Sequence, residues 1–240
     1  MNLTLKESLV TRSRVFSPWT AFYFLQSLLI NLGLGYPFSL LYTAAFTAIL
    51  LLLWRTLPRV QKVLVGISSL VAACYFPFAQ AYGAPNFNTL LALHSTNMEE
   101  STEILTIFPW YSYLVGIFIF ALGVIAIRRK KESEKARWNT FDSLCLVFSV
   151  ATFFVAPVQN LAWGGVFKLK DTGYPVFRFA KDVIVNNNEV IEEQERMAKL
   201  SGMKDTWTVT AVKPKYQTYV VVIGESARRD ALGAFGGHWD

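Results

Sequence analysis

Five apolar stretches, at 19–35, 37–54, 63–82, 110–127 and 141–158, each approach the ~20 residues with which an α-helix crosses a ~30 Å hydrocarbon core. Segments of that length and spacing constrain the chain more than any motif in it, because they predict a bundle of five transmembrane helices. With 53% hydrophobic residues, only 17% charged and a mean hydropathy of +0.34, the chain is also too apolar for an ordinary soluble domain. The first stretch lacks a small-residue cleavage site and is followed at once by a second, so it reads as an uncleaved first helix and not as a signal peptide.

The connections between these stretches alternate in charge. Lys6, Arg12 and Arg14 precede the first; Arg55, Arg59 and Lys62 follow the second; Arg128, Arg129, Lys130, Lys131, Lys135 and Arg137 follow the fourth. The other two connections, 35–36 and 83–109, hold no Lys or Arg, and the longer one carries Glu99, Glu100 and Glu103. Basic loops stay cytoplasmic, so the N-terminus is expected in the cytoplasm and everything after the fifth span outside it. The net charge of +6 is thus a topology signal, which excludes nucleic acid as the expected partner. Trp19, Trp54, Trp110, Trp138 and Trp163 fall at or just past span ends, where indoles favour the headgroup level. Gln26 and Asn31 interrupt the first span and are expected to face another helix. Cys74 and Cys145 sit in apolar runs without metal-ligand spacing and read as small core residues.

Past the fifth span the pattern changes. "YPVFRFAKDVIV" alternates apolar and basic residues as a surface-lying or interfacial segment does. "NNNEVIEEQERMAKLSG" reads as a turn followed by a solvated helix, supported by Glu192 with Arg196 and Glu195 with Lys199 and stopped at Gly202. "VTAVKPKYQT" is a linker. Val220, Val221, Val222 and Ile223 then form a short continuous apolar run of high β preference, the pattern of a strand covered on both faces, and Gly224 ends it.

Ligands of open α/β sheets gather at the carboxyl ends of strands, which is where Glu225 and Ser226 fall. The residues alone leave three readings open. Ser226 could be a nucleophile on a strand-to-helix elbow, since "GESAR" imitates G-x-S-x-G, although Arg228 replaces the last glycine. Glu225 could instead be a hard oxygen ligand for a metal. It could also only cap the following helix.

The five spans, the acidic loop, the surface-lying bridge and "VIGESAR" together resemble the bacterial phosphoethanolamine transferases of the alkaline phosphatase superfamily, most closely those that modify osmoregulated periplasmic glucans. The resemblance covers essentially the whole chain. It implies that Glu225 is a zinc ligand and that the nucleophile is a threonine some tens of residues further on, with an Asp-His pair among the later ligands; neither is present here. His238 matches no family ligand. The chain is accordingly expected to be an N-terminal fragment, inactive by itself, cut one strand into its catalytic domain. "STNMEE" is similar to the family's T-N-x-x-E segment, which implies that Thr96, Asn97 and Glu100 receive the ethanolamine head group. A carboxylate suits the ammonium, while an amide and a hydroxyl suit phosphate oxygens. The same letters also read as a capping box in the register of Thr96 and Glu99, and both roles can hold together. Ala92 stands where relatives often carry an asparagine, and "GAFGGHWD" lacks the tyrosine usual after the motif.

The organisation expected is therefore a five-helix transmembrane domain at 1–160, periplasmic bridging helices and a linker at 161–215, and the start of a truncated α/β, alkaline-phosphatase-like domain at 216–240. The expected function is transfer of phosphoethanolamine from phosphatidylethanolamine to a periplasmic acceptor by a zinc enzyme of the bacterial inner membrane whose C-terminal part is periplasmic. Periplasmic glucan is the first acceptor expected, and lipid A or core sugars of lipopolysaccharide the alternative. A membrane-anchored serine hydrolase using Ser226 and a non-catalytic membrane scaffold are the readings from other classes.

Overall fold

The computed structural model describes residues 17–130 and 138–203, with Val220 alone beyond them. Among the described residues the fold is all helical: α1 (Pro18–Gly33), α2 (Leu40–Thr56), α3 (Pro58–Tyr82), α4 (Phe87–Ser95), α5 (Met98–Ile107), α6 (Trp110–Arg128), α7 (Thr140–Ala162) and α8 (Pro175–Ser201), with a 3₁₀ turn at Leu169–Asp171. The chain divides into two compact units, Met1–Ala198 and Lys199–Asp240, and every contact described below lies within the first.

Each expected span has its helix, but their lengths differ. Three helices, α3, α6 and α7, are long and apolar enough to cross a membrane. Their 25, 19 and 23 residues extend ~37, ~28 and ~34 Å at ~1.5 Å per residue. The first two stretches give shorter helices of 16 and 17 residues, or ~24 and ~26 Å on the same rise. The reason lies in the turn between them. Gly35 takes a positive φ of 81° and packs on the backbone of Gly83, and residues 36–39 lie in no regular element, so α2 starts at Leu40 and not at 37. α3 in turn begins at Pro58, with proline in its favoured first position, and draws Arg59 and Lys62 into the helix. The strand expected at 220–223 is not seen: Val220 lies in no regular element and is exposed, and its neighbours lie outside the described residues.

α1 runs through the middle of the bundle. Its buried Tyr23 and Ile30, with Leu34 just past its end, share one core with Ala45, Phe46 and Leu50 of α2, Val65 and Ala72 of α3, and Ile119 and Ala126 of α6. Polar groups share this interior. Gln26 Nε2 donates to Ser69 Oγ at 2.9 Å, Thr47 Oγ1 to Ser27 Oγ at 3.2 Å, and Gln61 Nε2 to the Tyr23 hydroxyl at 3.3 Å. Asn31 is buried as well, as expected for a side chain facing a helical partner, though its amide atoms have no hydrogen-bond partner. The exterior is the apolar surface: Ile67, Leu70, Ile117, Phe118, Phe120, Leu144, Val147 and Val150 all point outward, an arrangement suited to lipid as solvent. Cys145 is a buried core residue, whereas Cys74 is exposed, against the expectation for it.

Closest packing occurs between α3 and α6. A Cβ added at Gly116 would stand 2.7 Å from the Ala73 carbonyl oxygen, and one at Gly123 would stand 2.6 Å from Ser69 Cβ. Small residues at such points let two backbones approach without a side chain between them. Gly116→Val is expected to lower the stability of the detergent-solubilised protein by about 1–3 kcal/mol through overpacking; an unchanged melting temperature would refute the close contact.

The basic connections meet at one end of the bundle. Arg129 lies between the rings of Trp19 and Trp54, its guanidinium carbon 4.1 and 4.4 Å from their centroids. Trp54 is nearly fully buried, so these two indoles stack on a cation where a headgroup position was expected. Trp110, Trp138 and Trp163 are exposed, as expected of residues at helix ends. At the same end Arg55, in the last turn of α2, donates to both carboxylate oxygens of Asp142, at 2.5 and 2.6 Å, and to Asn139 Oδ1 at 3.2 Å. Asn139 and Asp142 themselves form the capping box that starts α7.

Candidate functional site

The opposite end of the bundle, which holds the 83–109 connection without Lys or Arg, carries α4, α5 and the start of α8. α4 is opened by Asn86, whose Oδ1 accepts from the Thr89 N–H at 3.1 Å. It closes at Thr96, whose hydroxyl donates back to the Ala92 carbonyl at 2.6 Å. Because Thr96 is spent on ending α4, the next helix is capped one residue later than the sequence suggested. Asn97 Oδ1 accepts from the Glu100 N–H at 2.9 Å, and Glu100 Oε2 accepts from the Asn97 N–H at 3.3 Å. The box is thus Asn97 with Glu100, not Thr96 with Glu99, and asparagine is the stronger N-cap of the two.

The structure therefore brings Thr96, Asn97 and Glu100 together at one corner between α4 and α5. The cap engages Oδ1 of Asn97 and Oε2 of Glu100; Nδ2 and Oε1 take no part in it. Those two atoms supply a donor and a charged acceptor at an exposed corner, a pair suited to a zwitterion that carries a phosphate and an ammonium.

α8 is fixed beside this end of the bundle by contacts that the sequence did not reveal. The Tyr36 hydroxyl, in the short turn between α1 and α2, donates to Asp182 Oδ2 at 2.8 Å, and Arg178 stacks on the Tyr36 ring at 4.6 Å. Burial, reinforced by the bond to Asp182, raises the Tyr36 phenol well above its ordinary value, so it remains a donor at neutral pH. Lys181 bridges Asp171 at 3.2 Å and Asp182 at 3.5 Å. Just before the helix, the buried Tyr174 donates to the Ser149 carbonyl on α7 at 2.8 Å, and Phe179 packs edge-on against Tyr75 of α3. Further along, His94 of α4 and Asn187 of α8 are joined at 2.9 Å. The only sequence signal for this cluster was the alternation of apolar and basic residues in "YPVFRFAKDVIV".

Two expectations for α8 fail. No turn occurs at Asn186, Asn187 and Asn188: one helix of 27 residues runs through them. Arg196 pairs with Glu193 at 2.9 Å, three residues back, in place of the expected Glu192. The helix does end at Ser201, next to Gly202, as expected.

Glu225 and Ser226 lie outside the described residues, as does His238. Among the described residues no group of three or more His, Cys, Asp or Glu gathers that could hold a metal ion.

No protein-family model matches the chain, and no solved structure does. Among curated proteins, it is 99% identical over 240 residues to "Phosphoethanolamine transferase OpgE" of Escherichia coli (strain K12), covering 100% of the chain and 46% of that protein. A Haemophilus influenzae protein, provisionally named a phosphoethanolamine transferase, is 24% identical over 168 residues, 70% of the chain and 31% of that protein. The chain thus spans about half the length of the first relative and less of the second. Over all of its 240 residues it is similar to a bacterial phosphoethanolamine transferase.

Proposed function

We propose that this chain is the membrane and bridging part of an enzyme that moves phosphoethanolamine from phosphatidylethanolamine to a periplasmic acceptor, osmoregulated periplasmic glucan before lipid A or core sugars. The whole-length identity to a phosphoethanolamine transferase carries the reading. The corner formed by Thr96, Asn97 and Glu100 supports it with groups suited to the donor's head. In this reading α1 and α2 cross the inner membrane together with α3, α6 and α7, the end holding Arg55 and Arg129 is cytoplasmic, and the end holding α4, α5 and α8 faces the periplasm.

The exchange has two halves, and in each one P–O bond breaks as another forms. A threonine hydroxyl outside the 240 residues displaces diacylglycerol, and an acceptor hydroxyl then displaces the threonine; each attacking hydroxyl gives its proton to the departing oxygen. Glu225 is proposed as one ligand of zinc, which would lower the pKa of the nucleophile and offset charge on the phosphoryl oxygens. Within the described residues, Glu100 Oε1 would hold the ammonium and Asn97 Nδ2 a phosphate oxygen of the membrane-bound donor.

The test is transfer by the full-length enzyme from phosphatidylethanolamine in mixed micelles to glucan or to lipid A, read by mass spectrometry. Glucan modification is expected; transfer to lipid A alone would move the acceptor assignment, and no transfer to either would overturn the reading. Glu100→Gln retains an acceptor for the Asn97 N–H but loses the charge. It is expected to raise the donor concentration for half-maximal rate roughly tenfold, about 1.4 kcal/mol, with unchanged thermal stability. An unchanged rate at limiting donor would leave Glu100 with its capping role alone.

A further inference from the structure

We infer that the hydrogen bond between His94 and Asn187 is a latch that sets the head-group corner against α8, which makes both of them positioning residues. The inference rests on the transferase reading for its catalytic consequence, but the latch itself can be tested without it.

The segment between α3 and α6 is held firmly at its two ends. At the start, the Tyr75 hydroxyl donates to the Gly83 carbonyl at 2.9 Å. At the finish, buried Phe108 packs edge-on against Phe78 and Tyr82, and the Tyr113 hydroxyl donates to the Leu105 carbonyl. The middle has much less packing, since Leu90 is the buried apolar side chain of α4 while Leu93, Leu105 and Ile107 are exposed. Thr96, Asn97 and Glu100 lie in this middle, and their bonds to Ala92 and to each other shape the corner without tying it to the bundle. His94, two residues before Thr96, reaches across 93 positions of sequence to Asn187.

The far end of that bond is anchored. Asn187 follows Asp182, which Tyr36 and Lys181 hold, and it precedes Val190, which is 0% exposed. Asn187 and Val190 are three apart and share the inward face of α8. An amide oxygen only accepts, so with Asn187 Oδ1 as partner the donor of this bond is His94 Nε2. A helix end held at its last turn passes its orientation to the residues that follow, and a binding group that must first be ordered binds its ligand more weakly than one already held in place. The latch therefore fixes the donor-binding corner with respect to the helix that leads toward the remaining chain.

The experiment uses the full-length protein in micelles and two readouts: hydrogen exchange of the α4 and α5 amides, and transfer against phosphatidylethanolamine concentration. Asn187→Ala is expected to speed exchange around His94 and Thr96 although it lies on another helix, and to raise the half-saturating donor concentration about fivefold at unchanged maximal rate. His94→Ala should match it, the double variant should be no worse than either single one, and His94→Gln, which retains a donor, should recover most of the loss. Single effects that multiply to about 25-fold, or exchange unaltered by Asn187→Ala, would overturn the latch. Absence of transfer by the unaltered enzyme would overturn the transferase reading instead, while the exchange result would still decide the latch.

Discussion

Asp142→Ala is expected to destabilise the bundle by about 3–5 kcal/mol, because it leaves a largely buried arginine without its carboxylate. The Asp142 side chain is 3% exposed and that of Arg55 18%, so water can replace little of what is lost. The substitution removes two charge-assisted bonds between α2 and α7 and also the reciprocal arm of the capping box that starts α7. Thermal unfolding of the detergent-solubilised protein, followed by intrinsic fluorescence, measures it. Removing the charge and its partner together separates the two contributions: Arg55→Leu with Asp142→Leu should recover most of the stability, since a buried pair replaced by apolar groups of similar size is often neutral. If the double variant is as unstable as the single one, the capping box and not the ion pair holds α7 in place.

This pair also shows which parts of the fold the sequence made legible. Hydropathy located the helices α1, α2, α3, α6 and α7, since burial in lipid demands a continuous apolar run whatever its neighbours are, but not the polar α8. Charge alternation placed Arg55, Arg59, Lys62, Arg128 and Arg129 at common ends, but it read Arg55 and Arg129 only as topology markers. Their partners, Asp142 at 87 positions' distance and the two indoles, arise from helix packing, which no local pattern encodes. Gln26 and Asn31 were recognisable as inward-facing because an amide in an apolar run has few alternatives.

Local propensity erred where tertiary contacts outweighed it. Three consecutive asparagines read as a turn, since each is a poor helix former. In the structure Asn186 Nδ2 donates to the Asp182 carbonyl one turn back, Asn187 meets His94, and Val190 is buried on the same face, so the helix passes through. The capping box that starts α5 was legible but shifted by one in register, because Thr96 has a hydroxyl that can serve the end of α4 or the start of α5 and not both.

Glu225→Ala in the full-length enzyme is expected to reduce transfer below one-hundredth of the unaltered rate, a rise of at least about 2.7 kcal/mol in the barrier, while insertion into the membrane is unchanged. The expectation follows from the proposed role of Glu225 as a zinc ligand, and its companions distinguish the competing roles. Glu225→Gln would still satisfy a helix N-terminus by hydrogen bonding, so a capping role predicts near-normal activity for it, whereas a metal ligand that needs its negative charge predicts failure. Ser226→Ala addresses the hydrolase reading: loss of all activity there, with fluorophosphonate labelling of Ser226 in the unaltered protein, would make the serine the nucleophile. Zinc content measured alongside provides a readout independent of turnover. A Glu225→Ala protein that binds zinc as the unaltered one does and still transfers phosphoethanolamine would remove Glu225 from the metal site altogether.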